Sequence, residues 1–237
     1  MRFHLISLFP GAFESYIGES IIKRAIEDKK IEISFYNPRD YADDKWKRVD
    51  QKPYAGGPGM VIQALPVAKA IDAVLKKIEA RRKRLEVRNK KKKSPLTSNI
   101  GLRASTKIIF LSPAGKQFDT PYAKKTAQKF TDIIIVCGRY EGIDARVQKM
   151  FKMEEVSVGP FVLTGGELPA LIMIDCISRQ VEGVLGNFSS LEETRTASKD
   201  SYTRPEVIEY KGKKYKVPKV LLSGDHKKIE AWREKHK

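Results

Sequence analysis

The chain has 237 residues, 41% of them hydrophobic, enough for one good core and a small second domain. Its 46 Lys and Arg against 29 Asp and Glu leave a formal charge of +17, an excess that points to a polyanionic partner, nucleic acid first, through phosphate neutralisation and counterion release. Two cysteines, Cys137 and Cys176, exclude a disulfide framework, show no metal spacing and fit a reducing, cytoplasmic setting, while no apolar run reaches the length that spans a bilayer.

The apolar start, Phe3 to Phe9, is interrupted by His4 and Ser7, is followed by Pro10 and lacks a small-residue cleavage site, so it reads as a first strand. Phe13 to Asp28 has helical spacing, and Ile31, Ile33 and Phe35 alternate in a second strand, Ile31 to Tyr36. From Asn37 to Met60 the chain reads as a long loop, because Tyr54-Ala55-Gly56-Gly57-Pro58-Gly59-Met60 is too rich in breakers for regular structure. Pro66 to about Arg84 repeats Val67, Ala70, Ile71, Val74, Leu75 and Ile78 along one helical face, then runs into Lys90 to Ser105, expected to be mobile. Lys76 to Lys93 holds eleven Lys/Arg against Glu79 and Glu86 and so supplies +9 of the +17. It reads either as a phosphate-contacting surface or as a solvated helix end without a partner.

Lys107 to Leu111 and Asp132 to Cys137 read as strands on either side of a helix through Pro121 to Phe130, with a third short strand at Glu155 to Val158. Leu168 to Val181 is a mostly apolar helix in which Asp175 and Arg179, four apart, are able to pair. Gly183 to Lys199 has little periodicity. Tyr202 to Lys237 carries a weak strand around Val217, Val220, Leu221 and Leu222 and a helix from about Asp225 through Trp232. From Lys199 to Lys237 twelve Lys/Arg face six acidic residues. The expected organisation is an α/β domain over 1–186, a linker over 187–201 and a small basic C-terminal domain over 202–237.

Three glycine-bearing turns follow apolar runs: Phe110-Leu111-Ser112-Pro113-Ala114-Gly115, Cys137-Gly138-Arg139-Tyr140-Glu141-Gly142 and Val158-Gly159-Pro160-Phe161-Val162-Leu163-Thr164-Gly165-Gly166. In an open parallel sheet such turns gather at the carboxyl ends of the strands, where small residues let backbone N–H and C=O groups approach a nucleotide-like ligand. None is a P-loop, for lack of a following Lys-Ser/Thr, and none is a G-x-G-x-x-G fingerprint. Alone, they read equally as tight strand-to-helix connections.

The order of several longer motifs adds to this. They are Ile6-Ser7-Leu8-Phe9-Pro10, Asn37-Pro38-Arg39-Asp40, Val49-Asp50, Gly56-Gly57-Pro58-Gly59-Met60, Leu111-Ser112-Pro113, Val136 through Asp144, Leu163 through Ala170, Gly183-Val184-Leu185-Gly186, Tyr202-Thr203-Arg204-Pro205-Glu206 and Leu221-Leu222-Ser223-Gly224. With them the chain resembles, from its N-terminus to about Arg233, the bacterial tRNA (guanine-N1)-methyltransferase family of the SPOUT class. The resemblance implies an open parallel sheet whose three turns form a deep trefoil knot, and a shortened basic C-terminal domain. Pattern reasoning does not reach the knot, since threaded chains are nearly absent from proteins.

The resemblance further implies S-adenosylmethionine held by Leu111, Ser112, Pro113, Gly138, Tyr140, Glu141 and Gly142, by Val158, Gly159, Pro160, Phe161, Val162 and Leu163, and by Gly165, Gly166 and Pro169. It implies methyl transfer to N1 of guanosine 37 in tRNA, with Arg179 donating to O6 and substrate contacts at Asp50, Gly57, Gly59, Met60, Tyr202 and Arg204. A homodimer with sites built from both chains and magnesium dependence are family traits, Glu141 being the carboxylate nearest the cofactor motifs. N1 of neutral guanine carries a proton that a base must remove. Where the family has an aspartate this sequence has Thr194, preceded by Glu192 and Glu193, so Glu193 is the first candidate base and Asp200 the alternative. Loss of the base would leave a catalytically weakened RNA-binding protein of the same fold. Pro160, where the family commonly has aspartate, removes an N–H and a carboxylate, and the basic stretch is expected to supply phosphate contacts that the shortened C-terminal domain lacks.

Overall fold

In the computed structural model, which describes residues 1–54, 56–91, 105–186 and 200–236, the chain divides into two units, Met1–Val184 and Leu185–Lys237. The first runs β1 (Arg2–Ile6), a 3-10 turn at Pro10–Phe13, α1 (Glu14–Ile17), α2 (Ser20–Glu27), β2 (Glu32–Tyr36), a second 3-10 turn at Pro38–Tyr41, β3 (Asp50–Gln51), β4 (Val61–Ile62) and α3 (Ala64–Lys91). It continues through β5 (Thr106–Gln117), α4 (Thr120–Lys129), β6 (Asp132–Val136), α5 (Arg146–Met150), β7 (Glu154–Ser157) and α6 (Glu167–Ser178). Five strands form one sheet in the order β2-β1-β6-β5-β7, with every neighbouring pair parallel.

β6 is buried at each of its five positions, as a strand covered on both faces must be. Its side chains alternate. Ile133 and Ile135 join Phe3, Leu5, Ile22, Ala123 and Ile174 in one core, while Ile134 and Val136 join Val67, Ile71, Val74 and Val147 in another. α2, α4 and α6 therefore cover one face of the sheet, and α3 and α5 the opposite face.

Several expected elements differ in extent. The single helix predicted over Phe13 to Asp28 is broken: Gly18 ends α1, donating its N–H to Glu14 O at 3.0 Å, and Ser20 restarts the chain at φ 50. α3 outlasts its predicted end because the Lys, Arg and Glu residues near Arg84 are good helix formers that pair one turn apart, as Lys83 with Glu79 (2.7 Å) and Arg82 with Glu86 (3.2 Å). Lys92, Lys93 and the rest of the expected mobile loop through 104 lie outside the described residues. β5 is longer than predicted and irregular. Leu111 and Lys116 both register with Val156, so Ser112 to Gly115 arch out of the ladder. A Cβ on Gly115 would lie 2.4 Å from Val156 N, an approach only glycine permits.

In the second unit β8 (Val207–Tyr210) and β9 (Lys213–Lys216) form an antiparallel hairpin closed by Lys211 and Gly212 at φ 50 and 71, the signature of a type I′ turn. α7 (Lys219–Leu222) and α8 (His226–Lys235) follow. The strand predicted around Val217 to Leu222 is not formed. Val217 closes the hairpin by donating to Glu206 O at 2.9 Å, and Pro218 precedes the short helix. Asp225 caps α8 by accepting from Lys228 N at 3.2 Å. Tyr202 meets the Trp232 ring edge-on and His236 stacks on it, although no residue from 200 to 236 is fully buried.

Candidate active site

The carboxyl ends of β5, β6 and β7 open onto one crevice of about 390 Å³, within the usual size of a small-molecule site. Its walls are the three glycine-bearing turns. Leu111 on β5 and Ser112 and Pro113 in its arch form one wall, Gly138, Tyr140, Glu141 and Gly142 come from the turn after β6, and Val158, Gly159, Phe161, Val162, Leu163, Gly165 and Gly166 from the segment joining β7 to α6, with Pro169 in the first turn of that helix. Pro160, predicted as a contact, is exposed and does not line the crevice.

A hydrogen-bonded hub ties two of these turns to β1. Glu167, buried in the first turn of α6, accepts from Ser7 Oγ at 2.7 Å and from Arg139 Nε at 3.0 Å. Arg139 also donates to Thr164 O (3.3 Å) and lies over the Phe9 ring, 4.7 Å from its centroid. Gly166 N donates to Gly138 O at 2.9 Å. The helix N-terminus favours the Glu167 charge, and the carboxylate in turn fixes the guanidinium in the crevice wall. The motifs contain Arg139 and Glu167, yet sequence reasoning gave neither a role. The available signal was a lone acid after two glycines at the head of an apolar helix.

The Asn37 to Met60 loop ends against the crevice. β3 and β4 pair antiparallel, setting Asp50 opposite Ile62, a two-residue ladder too short to read from the sequence. Ile62 N donates to Gly142 O and Glu141 N to Met60 O, each at 3.0 Å. Gly59 has φ +85, and a Cβ there would lie 2.7 Å from Glu141 Oε1, so Gly59 and Met60 abut the second turn. Gly57 faces open space. A broader groove of about 970 Å³ runs alongside, lined in part by Gln51, Tyr54, Leu65, Arg146 and Met150.

Other predicted residues lie elsewhere. Arg179 caps the far end of α6, donating its N–H to Asp175 O at 3.1 Å, about 20 Å along the helix axis from Gly166 at 1.5 Å per residue. Asp175 accepts a hydrogen bond from Tyr16 Oη, which pushes the Tyr16 hydroxyl up to about 12. Asp200 is exposed, and Tyr202 and Arg204 belong to the second unit. Glu193 and Thr194 lie outside the described residues. On α6 itself, Leu168 and Ile172 are 60% and 45% exposed although the helix is otherwise largely buried, and Val162 at the crevice rim is 81% exposed.

Comparison with known proteins bears on this crevice. The family model described as tRNA (Guanine-1)-methyltransferase TrmD matches residues 1–237. A tRNA (guanine-N(1)-)-methyltransferase of Clostridioides difficile is 43% identical, covering 98% of this chain and 90% of that protein. Proteins of the same name from Geobacter sulfurreducens and Campylobacter jejuni subsp. doylei are each 41% identical, covering 98% and 97% of this chain and 84% and 88% of their own lengths.

Proposed function

The chain belongs to the tRNA (guanine-1)-methyltransferase TrmD family, and from that premise we propose how its crevice serves methyl transfer to N1 of guanosine 37 in tRNA. It is an enzyme, and the donor its family implies is S-adenosylmethionine, which supplies an electrophilic methyl group when bound. The observation that carries the assignment of the donor site is the single crevice walled by three turns of small residues at the carboxyl ends of three parallel strands. We read those turns as the knotted segment of the fold.

On this reading the chain's own groups do three things. Asp50, carried by β3 beside the crevice wall, holds the guanine. Arg179 donates to O6 and stabilises the negative charge that spreads there as N1 loses its proton. A carboxylate, Glu193 or Asp200, takes that proton. The distance of Arg179 from its own crevice supports a homodimer in which each site joins the crevice of one chain to the arginine of the other. The exposed Leu168, Ile172 and Val162 supply an apolar face for that contact. Among the described residues no three His, Cys, Asp or Glu side chains come together as a metal cage, and no step is routed through a magnesium ion. Nor is any described helix long and apolar enough to cross a membrane.

The relatives are methyltransferases by name, which favours turnover over a weakened RNA-binding protein. Methyl transfer from radiolabelled S-adenosylmethionine to a tRNA transcript with guanosine at 36 and 37 tests the reading, beside the same transcript with adenosine at 37. Transfer is expected to the first alone. Of Glu193→Gln and Asp200→Asn, the one that removes the base lowers kcat by about 10²- to 10⁴-fold. Binding of both ligands without transfer would select the weakened protein instead.

A further inference from the structure

α3 crosses the whole sheet and continues past it. It begins at Ala64, two residues after Ile62, whose N–H is bonded to Gly142 in the crevice wall. Further along, Arg81 Nη2 donates to Asp132 Oδ1 at 2.6 Å. Asp132 is the first residue of β6, whose other end leads into Gly138. The helix thus enters at the carboxyl edge and leaves at the amino edge. Beyond that edge no strand among the described residues lies under it, and every residue from 82 to 88 is exposed.

The charges on the overhang are sorted. Over the sheet the inward line of α3 is apolar, through Val67, Ala70, Ile71, Val74 and Ile78. Lys77, Arg81, Arg84 and Arg88 recur at steps of four, three and four, which keeps them within about 40° of one line at 100° per residue. Glu79 and Glu86 fall on the opposite side, where Lys83 and Arg82 pair with them at 2.7 and 3.2 Å. The stripe therefore carries no acid. Lys77 lies over the Tyr36 ring and Arg81 is tied to Asp132, while Arg84 and Arg88 form no ion pair among the described residues. A helix end that is merely solvated gains from mixing its signs one turn apart. Like charges at those spacings cost about 0.2–0.5 kcal/mol per pair, a cost that a row of phosphates would reverse.

We propose that this stripe is a second RNA-binding surface, gripping the phosphate backbone of the substrate tRNA beyond its anticodon stem. The proposal rests on the tRNA reading above. Guanidinium groups suit the task because their planar forks bind phosphate oxygens in pairs. The location follows from length. Ala64 to Arg88 is about 36 Å of helix, whereas a five-pair anticodon stem, a compact A-form RNA duplex, covers less than half of that. The phosphates opposite Arg84 and Arg88 then belong to the body of the tRNA. The contacts carry no base information and set affinity and register.

The test is equilibrium binding of the full chain and its Arg84→Gln/Arg88→Gln variant to a full-length tRNA transcript and to its isolated anticodon stem-loop, over a range of KCl concentrations. For full-length tRNA the variant is expected to bind about tenfold more weakly near 0.1 M salt, with a log–log salt slope shallower by about 2. For the stem-loop, both proteins bind alike. An Arg84→Lys/Arg88→Lys variant keeps the charge and most of the slope. Unchanged affinity and slope for full-length tRNA would overturn the proposal, as would an equal loss on both RNAs, which moves the contact to the anticodon arm. A separate methyl-transfer assay with the unsubstituted protein keeps the two readings apart. Failure there, with the binding difference intact, removes the catalytic reading and leaves the RNA surface standing.

Discussion

Glu167 shows how much of the crevice depends on one residue that does not line it. Its side chain is 5% exposed, both oxygens are engaged, and its partners are Ser7 just after β1 and Arg139 in the second turn. Glu167→Gln keeps the shape but turns one acceptor into an amide donor facing either a hydroxyl or a guanidinium. A buried mismatch of this kind costs about 1–3 kcal/mol, and in a chain of this size each kcal/mol lowers Tm by roughly 2–4 °C. Because Arg139 loses its anchor, S-adenosylmethionine affinity is expected to fall as well. Thermal melts and equilibrium dialysis measure the two effects, and a lower Tm with unaltered cofactor affinity would make Glu167 a structural brace alone. The turns themselves were legible, since small residues after apolar runs announce a backbone approach. The hub was not, because Ser7, Arg139 and Glu167 lie far apart in the chain and a buried carboxylate is spelled like an exposed one.

At the scale of elements, α6 is the most informative. A helix that is apolar all round belongs in a core, and Pro169, Ala170, Leu171, Met173, Ile174 and Ile177 are buried as that rule requires. Leu168 and Ile172, one turn apart, are not. In the homodimer proposed above, a second copy of the chain covers this exposed line. Leu168→Glu/Ile172→Glu touches no core position, so the variant is expected to stay folded, to melt lower only by the stability a partner subunit contributes, to run as a monomer in light scattering and to lose methyl transfer, because Arg179 is then separated from the opposite crevice. A monomeric unsubstituted protein would remove the dimer from the reading. Periodicity revealed α6 and the apolar part of α3, where packing and pattern agree. It missed β3 and β4, whose two-residue ladder has no period to detect, and it read α7 as strand because the three apolar residues Val220, Leu221 and Leu222 after Pro218 satisfy a short helix equally well. In the second unit the hairpin depended on the Lys211-Gly212 turn, where only Gly212 is a familiar signal.

For the whole molecule, the two edges of the sheet do different work: the carboxyl edge carries the crevice, and the amino edge carries a lock. The fully buried Asp132 side chain accepts from Arg2 Nε (3.0 Å), Arg81 Nη2 (2.6 Å) and Thr131 Oγ1 (2.9 Å), with His4 Nε2 at 3.1 Å. It thereby joins β1, β6 and α3 at one point. Burial alone would push its pKa up, but the hydrogen bonds from His4, Arg2, Arg81 and Thr131 outweigh burial and hold it well below the usual carboxylate range. The sign follows from linkage. A carboxyl whose pKa is depressed on folding contributes its full stability above the unfolded value, about 3.9, and loses it as pH falls toward the folded value. Below about pH 4 this group alone steepens the loss of stability by up to about 1.4 kcal/mol per pH unit. Asp132→Asn leaves two arginines facing an uncharged amide and is expected to cost about 3 kcal/mol at neutral pH. Its stability should fall less steeply between about pH 4 and pH 2 than that of the unsubstituted protein. Urea midpoints at a series of pH values measure both effects, and parallel acid limbs would mean that the carboxyl titrates alike in the folded and unfolded chains and that the lock holds by shape rather than by charge.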